Sequence, residues 1–249
     1  MDDLAARSGL GADLDGTFRT VGAFDEQGLV RMPEGLTFIE AATLSCAGLA
    51  SWNALFGLPG KQLCPGQWLL TQGTGGVSLF ALRFAKAIGV RVIATTSSKE
   101  KAQILTELGA DFIINYREQP DWGSVAKSMT KGIGVDHVID VAGATTLTQS
   151  VASLKREGLL VTMGFVGGEG KPENIPSLLD CWISNFTTRG IHVGSRQQME
   201  DMCRAIEANV DKLRPVVDAR VFGLGQLKDA CRYLESGKHQ GNVCIEITR

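Results

Sequence analysis

Apolar positions along this chain follow two rhythms that take turns. Short β-branched and aliphatic runs alternate with stretches where apolar side chains recur every three or four positions, which predict strands and amphipathic helices respectively. From about residue 66 the pattern predicts a strand at 67–71, a helix at 76–88 closed by Gly89, and a strand at 91–96. A helix at 98–108, stopped by Gly109, leads to a strand at 112–114 and a helix at 121–131 with Asp121 as its N-cap. A strand at 135–141, a helix at 145–154, a strand at 159–163, a helix at 175–185 and a strand at 188–193 complete the series. Runs such as Val92-Ile93-Ala94 and Leu159-Leu160-Val161 are apolar without alternation, as strands covered on both faces are. Strands and helices of these lengths in strict alternation imply right-handed crossovers and a doubly wound, parallel α/β sheet.

The two ends break this rhythm. Residues 1–36 are rich in Gly and Asp, with strand-like pieces at 18–24 and 28–31 and no helix of their own. The tail gives a helix at 197–210, a strand at 215–222, a helix at 225–235 and a strand at 242–247. These flanks are read as a second, mostly β module built from both chain ends. The expected division is residues 1–37, 38–195 and 196–249, with the dinucleotide-binding unit in the middle.

Composition removes several function classes. Of 249 residues, 44% are hydrophobic and 21% charged, ordinary values for a chain that buries a sizeable core. The 25 basic and 27 acidic residues leave a formal charge of −2, so no basic excess points to nucleic acid or to a membrane surface. Apolar runs are too short to span a bilayer, and Met1-Asp2-Asp3 does not open a signal peptide, so a cytoplasmic location is expected. The six cysteines form no C-x-x-C pair and match no zinc spacing, and are read as buried free thiols in a reducing compartment. His137, inside a strand run, is read as a satisfied core or edge residue, and Trp52, Trp122 and Trp182 as core packing.

The candidate chemistry begins at Gly73-Thr74-Gly75-Gly76-Val77-Ser78, between a strand and a helix. The first glycine permits the tight turn and the second lets backbone approach a pyrophosphate. The helix N-terminus then offers unpaired N–H groups and a partial positive charge. Ser78 stands where the third glycine of the fingerprint eases helix–strand packing, and it is small enough to do so. An NAD-specific site places Asp or Glu about 20 residues on, against the ribose 2′-hydroxyl. Here the sequence reads Thr95-Thr96-Ser97-Ser98-Lys99-Glu100-Lys101, and hydroxyls with lysine suit a 2′-phosphate. NADP(H) is therefore favoured over NAD(H). Ser98 also reads as the cap of the following helix.

These residues together resemble the medium-chain dehydrogenase/reductase superfamily, in its quinone-oxidoreductase and zinc-independent alcohol-dehydrogenase-like branch. The likeness runs over nearly the whole chain. It takes in Glu40-Ala41-Ala42-Thr43-Leu44-Ser45-Cys46-Ala47-Gly48, the glycine turn, Leu108-Gly109-Ala110-Asp111, Ile114-Asn115-Tyr116-Arg117, Gly134-Val135-Asp136-His137-Val138, Gly164-Phe165 and Gly241-Asn242-Val243. The resemblance implies that Gly73, Thr74, Gly75, Gly76 and Val77 hold the pyrophosphate. It puts Ser97 and Lys101 at the 2′-phosphate and Tyr116 beside the adenosine. Val141, Ala142, Gly164, Phe165 and Val166 would line the path to the nicotinamide, and Asn242 replaces a lysine common in the family. It further implies a homodimer joined at the sixth strand, and a GroES-like module represented only by its last part, in residues 14–33.

Cys46 matches a position where zinc-dependent relatives place a ligand, but no partner ligands accompany it, so no zinc is expected and Cys46 is read as a buried thiol. Ala50 stands where the family commonly has a threonine close to the nicotinamide. Ser45, Cys46 and Tyr116 each have a structural or cofactor-binding explanation, and no catalytic residue is assigned. The leading expectation is an NADP(H)-dependent oxidoreductase acting on a small carbonyl, alcohol, enone or quinone. The alternatives are a repurposed scaffold performing a non-redox step, such as cyclisation or isomerisation, and a non-catalytic cofactor-binding or interaction protein.

Overall fold

Leu69 and Leu70, Val92 and Ile93, Leu159 and Leu160 are adjacent pairs, and within each pair one side chain packs on each face of a sheet. A strand whose successive side chains are all apolar must be covered twice, and this one is. The computed structural model of the chain describes residues 9–11, 13–171 and 175–248; Met1-Asp2-Asp3 lies outside the described residues. Among the described residues, β1 (Trp68–Gln72), β2 (Arg91–Thr96), β3 (Phe112–Asn115), β4 (Val135–Asp140), β5 (Leu154–Thr162) and β6 (Thr187–Gly190) make one sheet. Their order is β3-β2-β1-β4-β5-β6, and every pairing is parallel. The winding reverses between β1 and β4. Doubly wound sheets take their ligands in the crevice above the strand ends at that point.

The helices follow in chain order. They are α1 (Phe38–Ala41), α2 (Leu49–Phe56), α3 (Gly76–Ala87), α4 (Lys99–Glu107), α5 (Trp122–Met129), α6 (Leu147–Ser153) and α7 (Leu178–Ile183). After them come α8 (Arg196–Ala208), α9 (Val210–Leu213) and α10 (Leu227–Glu235). One face of the sheet packs on α2, α3, α4 and α8 through Leu55, Phe80, Phe84, Leu105, Met202 and Ile206. The other packs on α5 and α6 through Trp122, Ala126 and Val151. After α9 the chain returns as β7 (Val217–Gly223), α10 and β8 (Asn242–Glu246), with β7 and β8 paired in parallel. The N–H of Gly241 donates to the carbonyl of Thr74 at 2.8 Å, tying this return to the glycine turn.

Several expected boundaries move, each for a local reason. β5 starts at Leu154 and so takes the end of the helix expected at 145–154; its Glu157 sits at φ 62° and donates its N–H to the Asn185 carbonyl. β6 stops at Gly190; the Ile191 N–H makes one further bond to the Thr162 carbonyl, and beyond it the Val193 carbonyl accepts the Asn53 side-chain amide at 2.7 Å. Asp121 occupies the cap position of α5 without a side-chain bond to it. The pieces expected at 18–24 and 28–31 form no strand. Phe18, Val21, Phe24 and Leu29 are exposed, and strand backbone needs a neighbour to satisfy its N–H and C=O groups.

His137 departs from its expected satisfied state. It is 4% exposed on β4, and its Nδ1 is buried with no hydrogen-bond partner. Burial pushes its pKa down from 6.5 to about 4, the Asp136 carboxylate opposes the shift, and Lys155 and Lys61 add to it. The ring is therefore neutral in the fold but protonates in the unfolded chain below about pH 6.5. Its contribution to stability is intact above that pH and is lost as pH falls from 6.5 towards 4, reaching about 3 kcal/mol. His137→Leu is expected to flatten the fall of the unfolding midpoint between pH 7 and 4.5 relative to the parent chain, measured by thermal denaturation.

Candidate functional site

β1 delivers the chain into the glycine turn. Gly73 has φ +75°, a conformation L side chains rarely adopt, and its N–H donates to the Thr95 carbonyl at 2.8 Å. Gly75 then caps α3 in extended conformation with no side chain bonded to the helix N–H groups. A Cβ on Gly73 or on Gly75 would meet nothing within 4 Å, so open space stands in front of the turn. Thr74 is 3% exposed, its carbonyl is taken by Gly241, and its hydroxyl is buried without a partner. Ser78 does more than fit: its hydroxyl donates to the Gln72 carbonyl at 2.6 Å, bracing helix to strand. An open cradle of backbone N–H groups at a helix N-terminus fits a dinucleotide pyrophosphate.

Beneath the turn lies a polar network that sequence patterning did not single out. Asp140, fully buried at the end of β4, accepts from Ser150 Oγ at 2.6 Å, the Gly143 N–H at 2.7 Å, Thr146 Oγ1 at 2.9 Å, and the Ala142 N–H and Gln72 Nε2 at 3.1 Å. Gln72 Oε1 in turn accepts the N–H groups of Val141 and Ala142 at 3.2 and 3.4 Å. The pair thus locks the end of β1 to the end of β4. The available signal was a glutamine and an aspartate closing two central, otherwise apolar strands, since polar groups there must find partners.

Ser97 and Tyr116 directly follow the last residues of β2 and β3, Thr96 and Asn115, which are paired, and Lys101 lies in the first turn of α4. Tyr116 is 40% exposed, held by its N–H to the Thr96 carbonyl. Ser98 caps α4 by accepting the Lys101 N–H, and the Lys101 ammonium donates to the Gly237 carbonyl. At the other end, Val141 and Ala142 sit at the switch point. The loop after β5 folds over them, with Val166 N–H donating to Val141 and Gly167 N–H to Ala142. Gly164 is half-buried, while Phe165 and Val166 stand exposed. Asn242 is spent on the fold. Its amide donates to the Val216 carbonyl, and its Oδ1 occupies the space a side chain on Gly76 would need.

A cleft of about 720 Å³ opens beside the turn, lined by Phe38, Ile39, Cys46, Ala47, Asn242 and Ile245 among others. Cys46 is exposed in it, contrary to the expected buried thiol. The reason is a single π-helical turn, Leu44–Gly48, which buries Leu44 and Gly48 and leaves Ser45 and Cys46 outward. Cys64 and Cys231 are exposed too, so only Cys203 and Cys244 meet the expectation of burial, with Cys181 intermediate. Among the described residues no three His, Cys, Asp or Glu side chains converge as a metal site. Asp140→Asn puts an amide where two backbone N–H groups and two hydroxyls converge. It is expected to lower unfolding free energy in denaturant by about 3 kcal/mol and to weaken dinucleotide binding as the strand ends loosen.

Comparison with known proteins agrees with this geometry. A family model described as zinc-binding dehydrogenase matches residues 76–208. A zinc-type alcohol dehydrogenase-like protein of Schizosaccharomyces pombe is 44% identical over 246 residues, 98% of this chain and 70% of that protein. The crystal structure of an NAD-dependent alcohol dehydrogenase superposes with a TM-score of 0.86 at 28% identity, over 96% of this chain and 67% of that one. A mycobacterial protein solved with NADPH gives 0.74 at 26% identity, over 86% and 68%. The chain spans between 60% and 70% of the length of the curated relatives it matches here. With a doubly wound parallel sheet, a glycine turn at its switch point and these matches, the chain belongs to the zinc-binding dehydrogenase family of the medium-chain dehydrogenase/reductases.

Proposed function

We propose that this chain binds NADP(H) and serves an oxidoreductase that reduces a small carbonyl, enone or quinone, or oxidises the corresponding alcohol, without zinc. The observation that carries the reading is the turn itself: glycines open to solvent at Gly73 and Gly75, over a buried Thr74 hydroxyl that lacks a partner. The rim at Ser97, Lys101 and Tyr116 supports the phosphorylated cofactor. Its strand end carries hydroxyls where a carboxylate would repel the 2′-phosphate. The NADPH complex among the structural neighbours is consistent with that choice, while another neighbour is titled NAD-dependent. Bound nicotinamide would supply the hydride in the reducing direction and accept it in alcohol oxidation. This chain's residues would hold the pyrophosphate at Gly73–Val77, fix the strand ends through Asp140 and Gln72, and flank a cleft sized for a small substrate with Cys46, Ala47 and Asn242. The zinc-free reading rests on the sequence, in which no companion ligand pattern accompanies Cys46.

A homodimer belongs to the same proposal. β6 lies at the sheet edge with one side unpaired among the described residues, and α7, just before it in the chain, exposes Leu178, Leu179, Trp182 and Ile183. The exposed Trp182 departs from the core role expected of it; α7 ends at Ile183 and presents this side chain outward at 78% exposure. Such a patch together with a free strand edge suits a symmetric partner. The division at residues 37 and 195, and a cytoplasmic setting in keeping with six free thiols, complete the proposal.

Intrinsic fluorescence titration tests the cofactor reading. NADPH is expected to bind at least tenfold tighter than NADH, and Gly73→Ala to weaken both, because its methyl strains the backbone by about 1 kcal/mol and intrudes on the cradle. Binding of neither nucleotide overturns the reading; tight binding with no oxidation across enones, quinones and aldehydes leaves a cofactor-binding protein without this chemistry. Light scattering is expected to return a dimer mass, and a Trp182→Glu variant a monomer.

A further inference from the structure

The loop between α10 and β8 runs past the N-terminal end of α4 and is pinned at three points. The Gly237 carbonyl accepts the Lys101 ammonium from α4, the Gln240 N–H donates to Asp218 Oδ2 at 2.9 Å, and the Gly241 N–H donates to the Thr74 carbonyl at 2.8 Å. His239 lies between the first two pins. Its ring packs edge-on against Tyr233, with centroids 6.5 Å apart, and its Nδ1 is buried without a hydrogen-bond partner. The charged and titratable groups around it come from each packed element: Lys101 on α4, Tyr233 on α10, and Asp218 and Arg220 on β7. Asp218 is already engaged by the Tyr233 hydroxyl and by the Gln240 and Arg220 N–H groups. The Lys101 ammonium thus meets the chain two residues before His239, and while Lys101 is satisfied by a main-chain carbonyl, the His239 Nδ1 is met by nothing.

Resting on the NADP(H) reading above, we propose that His239 is a specificity-determining residue of the 2′-phosphate subsite, pairing with Lys101 and taking up a proton from solvent when the phosphate binds. In the free protein burial and the neighbouring Lys101 charge hold the imidazole below its ordinary pKa, so it starts neutral. A dianion placed against both groups reverses the balance, since an opposite charge favours the protonated ring. The phosphate also replaces the Gly237 carbonyl as the acceptor of Lys101, which frees the first pin and lets the loop settle around the ligand. The sequence hides this arrangement because 136 residues separate Lys101 from Gly237.

The test uses 2′,5′-ADP against 5′-AMP, titrated calorimetrically at pH 7.5 in two buffers of different ionisation heat. The 2′-phosphate, with a second pKa of about 6, is already dianionic there, so net proton uptake reports the protein. The parent chain is expected to take up a measurable fraction of a proton with 2′,5′-ADP and none with 5′-AMP. His239→Gln is expected to abolish uptake and to weaken 2′,5′-ADP about tenfold while leaving 5′-AMP unchanged. His239→Lys, charged from the start, is expected to restore the affinity without the uptake, which separates a lost charge from a damaged loop. Unchanged 2′,5′-ADP affinity and proton balance in His239→Gln overturns the inference and leaves the cofactor reading standing. Failure of the parent chain to bind NADPH or 2′,5′-ADP overturns both.

Discussion

Everything at the functional end of this molecule hangs on one buried carboxylate. Asp140 has no access to water, so each of its lone pairs must be met by the protein, and donors from β1, the turn after β4, and α6 converge to meet them. That requirement fixes how the ends of the two central strands sit relative to each other. Because the glycine turn leaves β1 directly after Gln72, the aim of the turn is set by the same network. Ser78 adds a brace from the helix side through the Gln72 carbonyl. A turn made of backbone has no side chains to adjust it, so rigidity has to come from beneath.

The C-terminal return is the second constraint. Gly241 bonds the turn, Asn242 fills the space over Gly76, and Lys101 reaches the Gly237 carbonyl, so the loop and β8 wall one side of the glycine turn. A second hub, Asn53, ties α2 into the fold. Its side chain donates to Val193 and accepts from Arg189 and Gln198, anchoring α2 to the strand and helix that follow β5. Since the π turn carrying Cys46 leads directly into α2, that anchor also orients the floor of the cleft.

The order of elements and the double coverage of the sheet were legible in the chain because they depend on local periodicity. Adjacent apolar pairs such as Val92 and Ile93 leave a strand no exposed face, and glycines at 89 and 109 stop helices where they stand. The glycine turn was equally legible, since its requirement for a positive φ and for a vacant Cβ position is a property of single residues. Less visible were the roles of polar residues inside apolar runs. Gln72, Asp140 and His137 look alike in a pattern, yet two of them organise the site and the third carries a nitrogen with no partner. Partner choice is a matter of distance across strands that lie far apart in sequence.

The chain by itself thus determined the doubly wound parallel sheet, the place of the phosphate turn and the hydroxyl-and-lysine character of the second strand's end. Only the tertiary structure decided that Cys46 faces the cleft, that Trp182 stands outside the core, that the segments at 18–24 and 28–31 do not become strands, and that Asn242 and the loop before it close on the turn. The difference is physical. Periodicity and backbone conformation are set within a few residues. Exposure and hydrogen-bond partners are set by what the fold brings from elsewhere in the chain, and no local rule encodes them.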